Sequence, residues 1–329
     1  MTRAWAAGLD MGGTNIRCAA VSAAGDVLLM EHGPSLASRN AAAVAENIAA
    51  QLTHLLDSAR RRGLGSPRAI GVAVPGPLNV YSGTVTQAPH VAAWRAYPLR
   101  RALEAIIGRK VVVENDANAW ALGEYWRGAA RGMRDVVLLT LGTGVGGGLI
   151  VGGKLVHGRS GMAGELGHVT VDPDGPRCDC GANGCLESYA SASGLRGLVQ
   201  QRLGLPPGAP LPAGIVDAEG NFSVRAMSAQ ARRGDRLALE AFATAGYYLG
   251  VAIASFLNIF NPDRVVIGGG VAGALPYMRK TMMAQVRERA FTAIAAEAKI
   301  VRAALGPRSG VVGAAYAALH PANRARRNG

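Results

Sequence analysis

"GHVTVDPDGPRCDCGANGCLE", residues 167–187, places three of the chain's four cysteines within eight positions. A disulfide between Cys178 and Cys180 would close a small, strained ring. The N-terminal stretch "MTRAWAAGLDMGGT" has no long apolar core of the export-signal type. With so few cysteines the chain is expected in the cytoplasm, where structural disulfides are rare. Soft thiolates with an imidazole instead suit tetrahedral zinc. His168, Cys178, Cys180 and Cys185 supply four ligands at the spacing H-x9-C-x-C-x4-C. Four protein ligands leave no open position, so a structural ion is expected rather than a catalytic one. Gly181 and Gly184 would let the backbone turn tightly around it. The competing reading is four unrelated residues in one loop. The remaining cysteine, Cys18, lies in a strand-like run and reads as ordinary core.

The 329 residues suggest two domains or one large one, and 49% hydrophobic with 17% charged residues supports a globular core. Lys and Arg number 35 against 22 Asp and Glu, a net charge of +13 that attracts anionic metabolites. The basic residues are scattered. The short clusters Arg60-Arg61-Arg62 and Arg324, Arg326, Arg327 carry no interleaved aromatics, so nucleic acid is not an expected partner. No uninterrupted apolar run reaches the roughly 18 residues of a membrane span, and a membrane is not expected either.

Strands and helices alternate, which implies an α/β fold with mixed sheets. Residues 3–10 and 16–30 read as strands around a glycine turn. The segment 41–62 carries Val44, Ile48, Leu52 and Leu55 on one helical stripe. Short β-rich runs occupy 69–76 and 110–116, and 118–130 reads as helix. The segment 135–156 reads as strand, glycine turn, strand. A long helix over about 235–260 precedes a strand at 263–270. The proline-rich 205–214 is a loop, and no 20–50-residue repeat occurs.

Three strand ends run into glycines. In "LDMGGTNIR" (9–17), Asp10 precedes Gly12, Gly13, Thr14 and Asn15. Such a turn can aim backbone amides at phosphate, and the aspartate can hold hydrated Mg2+. A plain hairpin turn reads equally well. "LGTGVGGG" (141–148) contains G-x-G-x-x-G, but β-rich "LIVGGKLV" follows where a dinucleotide motif would open a helix. "VVIGGGVA" (265–272) is the third. In "VENDANAWALGE" (113–124), Asp116 sits at a strand's end before a helix. It could cap that helix, or it could accept a proton from a substrate hydroxyl while Asn115 holds another. Glu165, three residues before His168, and Glu187, two after Cys185, would gather beside the zinc knot. Carboxylates and an imidazole together suit a polyhydroxylated ligand.

These segments, with "GVAVPGPLN" and "GELGHVTVDPDGPRCDCGANGCLESYAS", occur in the order seen in the ROK family of repressors, open reading frames and kinases. The chain resembles that family from residue 5 to about 317. The resemblance implies an actin-like, ribonuclease-H-like ATPase fold with two lobes and a cleft. It implies a small lobe of residues 1–117 with 311–329, and a large lobe of 118–310 bearing the zinc loop and dimer-forming helices. It also implies ATP- and Mg2+-dependent phosphorylation of a hexose, structural Zn2+, and a homodimer or homotetramer. Asp116 matches the family's catalytic aspartate. Asn115, Asp116, Glu165, His168 and Glu187 match its sugar contacts. Asp10, Gly12, Gly13, Thr14 and Asn15 match the first phosphate turn; Gly142, Thr143 and Gly144 match the second; Gly269 and Gly270 match the adenosine-side turn.

The stretches 87–94, 187–195 and 246–270 look like glucokinase members, so glucose is the expected acceptor at O6. N-acetylmannosamine, mannose, fructose or allose is the alternative within the same motifs. A sugar-responsive repressor is a third reading. It is disfavoured because only nine residues precede Asp10, too few for a helix-turn-helix domain. Polyphosphate could replace ATP as donor.

Overall fold

The computed structural model describes residues 4–87 and 94–321. Most of the stretch 87–94 and all of the 324–327 arginine cluster therefore lie outside the described residues. The chain forms two compact units, one of residues 1–134, 148–164 and 303–329, the other of 135–147 and 165–302.

In the first unit, β1 (Trp5–Met11) and β2 (Asn15–Ser22) form a hairpin around the first glycine turn. The single strand expected over 16–30 is two strands. Gly25 turns at φ +90°, Ser22 Oγ accepts from Asp26 N at 3.0 Å, and the chain returns as β3 (Val27–Pro34). The alanines at 23 and 24 hide that turn within an apolar run. The helix α1 (Ala41–Arg61) starts at Asn40, whose side chain accepts from Ala43 N at 2.9 Å. Its stripe of Val44, Ile48, Leu52 and Leu55 is buried, as the periodicity predicts. The strand β4 (Ile70–Val74) is followed by three short strands, β5 (Leu78–Asn79), β6 (Thr84–Gln87) and β7 (Arg95–Tyr97). Then come α2 (Leu99–Ile107), β8 (Val112–Asn115) and α3 (Asp116–Arg127).

The second unit opens with β9 (Val136–Leu141) and the start of β10 (Val145–Val151), within which the chain passes back to the first unit and on to β11 (Lys154–Leu155). After the cysteine loop come α4 (Glu187–Ala190), α5 (Ala192–Arg202), α6 (Val224–Arg232) and α7 (Arg236–Phe260). The unit ends with β12 (Arg264–Gly268), α8 (Leu275–Arg289), α9 (Thr292–Glu297) and β13 (Ile300–Arg302). The strand β12 pairs in parallel with both β9 and β13. By length and composition α7 could cross a membrane, a property that the count of uninterrupted apolar residues misses because Gly, Ser and Tyr punctuate it; 56% of its apolar stretch is buried. Its neighbours explain that burial: Gly246 and Gly250 bring its backbone onto the Met278 and Met282 turns of α8.

The last helix, α10 (Ser309–Leu319), belongs to the first unit. That unit's sheet has the order β3-β2-β1-β4-β8, with β1, β4 and β8 parallel and the remaining pairs antiparallel. Period-two alternation splits β1 between two cores. Trp5, Ala7, Leu9 and Met11 join the cluster that includes α1, whereas Ala6 joins Val311, Val312 and Ala315 of α10. The approach of α10 is closer than a side chain allows at several glycines. A Cβ on Gly8 would land on the Val311 carbonyl, and one on Gly313 would land on the Ala119 carbonyl of α3. The expected boundary at 117/118 therefore needs correcting. It falls inside α3, and α3 stays with the first unit because α10 packs against it.

One buried carboxylate ties these elements. Glu124 is wholly buried, and its oxygens accept from Ala129 N at 2.7 Å, Ala304 N at 2.9 Å, Leu305 N at 2.9 Å and Ser309 Oγ at 2.7 Å. Removing it strands four donors, of which the Ser309 hydroxyl is fully buried. Glu124→Ala should therefore lose about 3–5 kcal/mol of stability, read from urea unfolding midpoints. A loss below about 1 kcal/mol would show that water replaces the carboxylate there.

Candidate active site

Two groups of expected site residues lie in the first unit. Asp10 pairs across β1–β4 with Ala73, and Ala73 pairs across β4–β8 with Glu114, so Asp10 and Asn115 end parallel strands two positions apart. Strand spacing puts those backbones about 10 Å apart. Asp10 is 4% exposed, and its carboxyl lies against Gly310 at the start of α10. Burial pushes its pKa up to about 6, against the pull of Arg17, 3.9 Å away, and of Trp120. The turn after it is exposed and tethered from behind: Ser35 Oγ donates to Gly13 O at 2.6 Å and Ser35 N to Thr14 O at 2.9 Å.

At the end of β8 the structure separates two roles that the sequence left open. Asn115 is the cap of α3, accepting from Asn118 N at 3.1 Å and donating through Nδ2 to Gly76 O at 3.3 Å. Asp116 occupies the first helical position, where Oδ1 accepts from Ala117 N at 2.9 Å.

The second unit gathers the rest. Gly142, Thr143 and Gly144 join β9 to β10, and Gly269 follows β12 at φ +87°. Gly268 pairs with Thr140, so both turns lie at carboxyl ends of adjacent parallel strands. The start of α5 grips the first turn: Ala192 N donates to Gly142 O at 2.8 Å and Ser193 Oγ to Thr143 O at 2.9 Å.

In the cysteine loop all three cysteines are free thiols, as is Cys18 in β2, and the donor atoms of His168, Cys178, Cys180 and Cys185 lie within 4.8 Å of one another. His168 Nδ1 is 3.6 Å from Cys178 Sγ, and Cys180 Sγ is 3.6 Å from Cys185 Sγ. Zinc bonds of about 2.1 Å to nitrogen and 2.3 Å to sulfur put tetrahedral ligands about 3.6–3.8 Å apart, so the donor set fits that ion. Gly181 at φ +98° and Gly184 at φ +60° supply the turns expected of them. A Cβ on Gly184 would strike the Asp172 carbonyl. Burial pushes the Cys185 thiol up to about 12, while the Ala182 N–H lowers that of Cys180.

Glu165 and Glu187 both sense this cluster. Burial raises the Glu165 pKa, the His168 ring lowers it and the Glu187 charge raises it again. Glu187 Oε1 lies 3.9 Å from Cys178 Sγ, and Oε2 accepts from Val145 N at 2.8 Å. Glu187 thus also braces the glycine turn, a duty that sequence reading did not assign. A further residue unread in the sequence is Asp172. It accepts from Tyr189 OH at 2.7 Å and Tyr248 OH at 2.8 Å, and those hydrogen bonds, led by Tyr189, hold its carboxyl below the usual range. No local pattern marks it, because Tyr248 lies 76 positions away on α7.

The family model for the ROK family matches residues 6–320. The chain belongs to the ROK family. Among its relatives is a glucokinase of Halalkalibacterium halodurans, 36% identical over 317 residues that span 96% of this chain and 95% of the relative. A crystallised ROK family glucokinase from Streptomyces griseus, in complex with glucose and AMPPNP, superposes with a TM-score of 0.79 at 34% identity, covering 96% of this chain and 99% of that one. A DNA-binding transcriptional repressor of Escherichia coli, Mlc, is 33% identical over 225 residues, 68% of this chain and 54% of its own length. The α/β architecture with mixed sheets flanked by helices is the actin-like ATPase fold of these ROK structures.

In this ROK protein the raised pKa of Asp10 has a measurable consequence. The carboxyl ionises near pH 4 when unfolded and near pH 6 when folded. Below pH 4 both states are protonated and nothing is lost. Between pH 4 and 6 the unfolded state releases its proton first, so stability falls, by about 3 kcal/mol in all. Asp10→Asn should accordingly gain stability relative to the parent as pH rises from 4 to 7, measured by urea unfolding at each pH. A difference between the two proteins that does not change with pH would contradict burial as the dominant influence on this carboxylate.

Proposed function

We propose that this ROK protein is an ATP-dependent sugar kinase that phosphorylates glucose at O6, giving glucose 6-phosphate and ADP. The supporting observation is similarity to glucokinases along nearly the whole chain, at 36% identity over 96% of it, combined with a carboxylate at the carboxyl end of a parallel strand. Asp116 is the general base. It takes the proton of the 6-hydroxyl as that oxygen bonds to the γ-phosphorus, and the bond from phosphorus to the β–γ bridging oxygen breaks with ADP as leaving group. The first helical position suits this task, because Asn115 rather than Asp116 performs the capping.

Asn115, Glu165, His168 and Glu187 are the residues that read the other hydroxyls. His168 turns Nδ1 toward Cys178, which leaves Nε2 to face a ligand. The Gly12–Gly13–Thr14 turn and the Gly142–Gly144 turn serve the phosphates, with Gly269 and Gly270 on the adenosine side. Asp10 is the residue to hold Mg2+, which when bound supplies charge neutralisation to the triphosphate and stabilises the ionised, buried carboxylate. His168, Cys178, Cys180 and Cys185 hold the structural zinc, whose contribution is to fix their loop.

The test is a coupled ADP-release assay over glucose, mannose, fructose, allose, N-acetylmannosamine and N-acetylglucosamine, run on the parent and on Asp116→Asn. Glucose should lead in kcat/KM by about tenfold or more, and Asp116→Asn should lose about 100- to 10,000-fold in kcat while glucose still binds. Near-parental turnover by Asp116→Asn would remove it as the base, and a better acceptor than glucose would reassign the substrate.

A further inference from the structure

Two positions before Asp116 is a carboxylate that the chemistry above does not use. Glu114, 1% exposed, is the penultimate residue of β8, with its side chain inside the first unit. Its Oε1 accepts from Asn115 N at 3.0 Å and from Asn118 Nδ2 at 3.2 Å. Those two partners stand on either side of Asp116 in the chain. Its Oε2 lies 3.0 Å from Nε2 of His157, itself 5% exposed and 43 positions away. With Glu114 ionised, Nε2 carries the proton and donates.

The ring of His157 is fixed in turn. Tyr81 meets it edge-on, with centroids 6.3 Å apart and planes at 62°, and Tyr81 OH donates to the neighbouring Gly158 O at 3.0 Å. The 157–163 loop closes on itself through Ala163 N, which donates to His157 O at 3.1 Å. Gly158 at φ +66° and Gly161 at φ +81° make that closure possible. The imidazole is thus held by its own loop and by β5–β6 before it meets Glu114.

We infer that Glu114 and His157 are a positioning pair that sets the orientation of Asp116 for proton removal, an inference that rests on Asp116 being the base. A buried carboxylate is held in one plane when donors reach both of its oxygens. His157 supplies a donor to the second oxygen and so helps fix that plane. The plane sets where the Asn115 N–H and the Asn118 amide lie, and these bracket the first turn of α3. Displacements of about 1 Å in a reacting group cost about 100-fold in rate without a matching loss of binding. The pair therefore acts on kcat, through Asp116, without touching substrate.

The test uses the full chain and the best acceptor from the sugar panel. His157→Leu removes the donor, and His157→Gln returns one through its side-chain amide. His157→Leu is expected to lower kcat about tenfold or more, with the sugar KM moving less than about threefold, and His157→Gln to recover kcat to within about threefold of the parent. Glu114→Gln keeps the volume and an acceptor for Asn115 N–H but loses the ionised oxygen, and it should lower kcat similarly. Combined with His157→Leu it should cost no more than the slower single change. A folded His157→Leu protein with parental kcat, a loss confined to KM, or a His157→Gln protein as slow as His157→Leu would overturn the pairing. Should His157→Leu not fold, Glu114→Gln decides alone, and parental kcat overturns the pairing. Asp116→Asn, run beside them, separates the two failures. Normal turnover there removes the base itself, whereas an inactive Asp116→Asn beside a parental His157→Leu removes the positioning pair and leaves the base standing.

Discussion

The gathering of His168, Cys178, Cys180 and Cys185 is the constraint on which the candidate site of the second unit depends. The loop between β11 and α4 has little regular structure among its described residues: a short turn at Leu166–His168 and isolated bridges. The four donors gathered within 4.8 Å would hold it through the proposed zinc. The consequence reaches past the loop, because Glu187 leaves the cluster and accepts from Val145 N beside the glycine turn. The proposed sugar-reading side chains and the proposed phosphate turn therefore share one support. Asp172 anchors the same loop to Tyr189 and Tyr248.

In the first unit the support is different. It consists of parallel strands whose carboxyl ends carry polar residues, covered by a helix made almost wholly of small residues. Glycine at 8 and at 313 lets α10 sit on β1 and α3 at backbone distance. That closeness buries Asp10, and burial rather than any like charge is what raises its pKa. Glu124 then fastens the start of α10 to the end of α3. The acids at 10, 114, 116 and 124 lie on or beside the same elements yet meet different surroundings. The tasks proposed for the first three are coordination of a cation, positioning and proton removal, whereas Glu124 anchors the structure.

Much of this was legible where local pattern dominates. The α1 stripe, the glycine turns after β1, β9 and β12, and the spacing of the four donor residues all follow from short-range rules. The hairpin between β2 and β3 was missed because its turn is built of alanines before Gly25, which look like strand in an apolar run. The helix α10 was missed because it is buried on nearly every side and shows no amphipathic period. The sequence left capping and proton removal both open for Asp116, since Asn and Asp are equally good caps and only the fold chooses Asn115 for the cap. Glu114 stood in a quoted motif, but its meaning depends on His157, 43 positions away. No local rule links the two.

The most direct measurement of the central claim is glucose binding by calorimetry to protein loaded with zinc and to the same protein stripped by chelator, with folding checked by circular dichroism. If the metal knot orders the sugar-reading loop, the stripped protein keeps its helical signal but binds glucose about tenfold more weakly or not at all, and restored zinc returns the affinity. Equal affinity in the two states, with elemental analysis showing the zinc gone, would contradict the account.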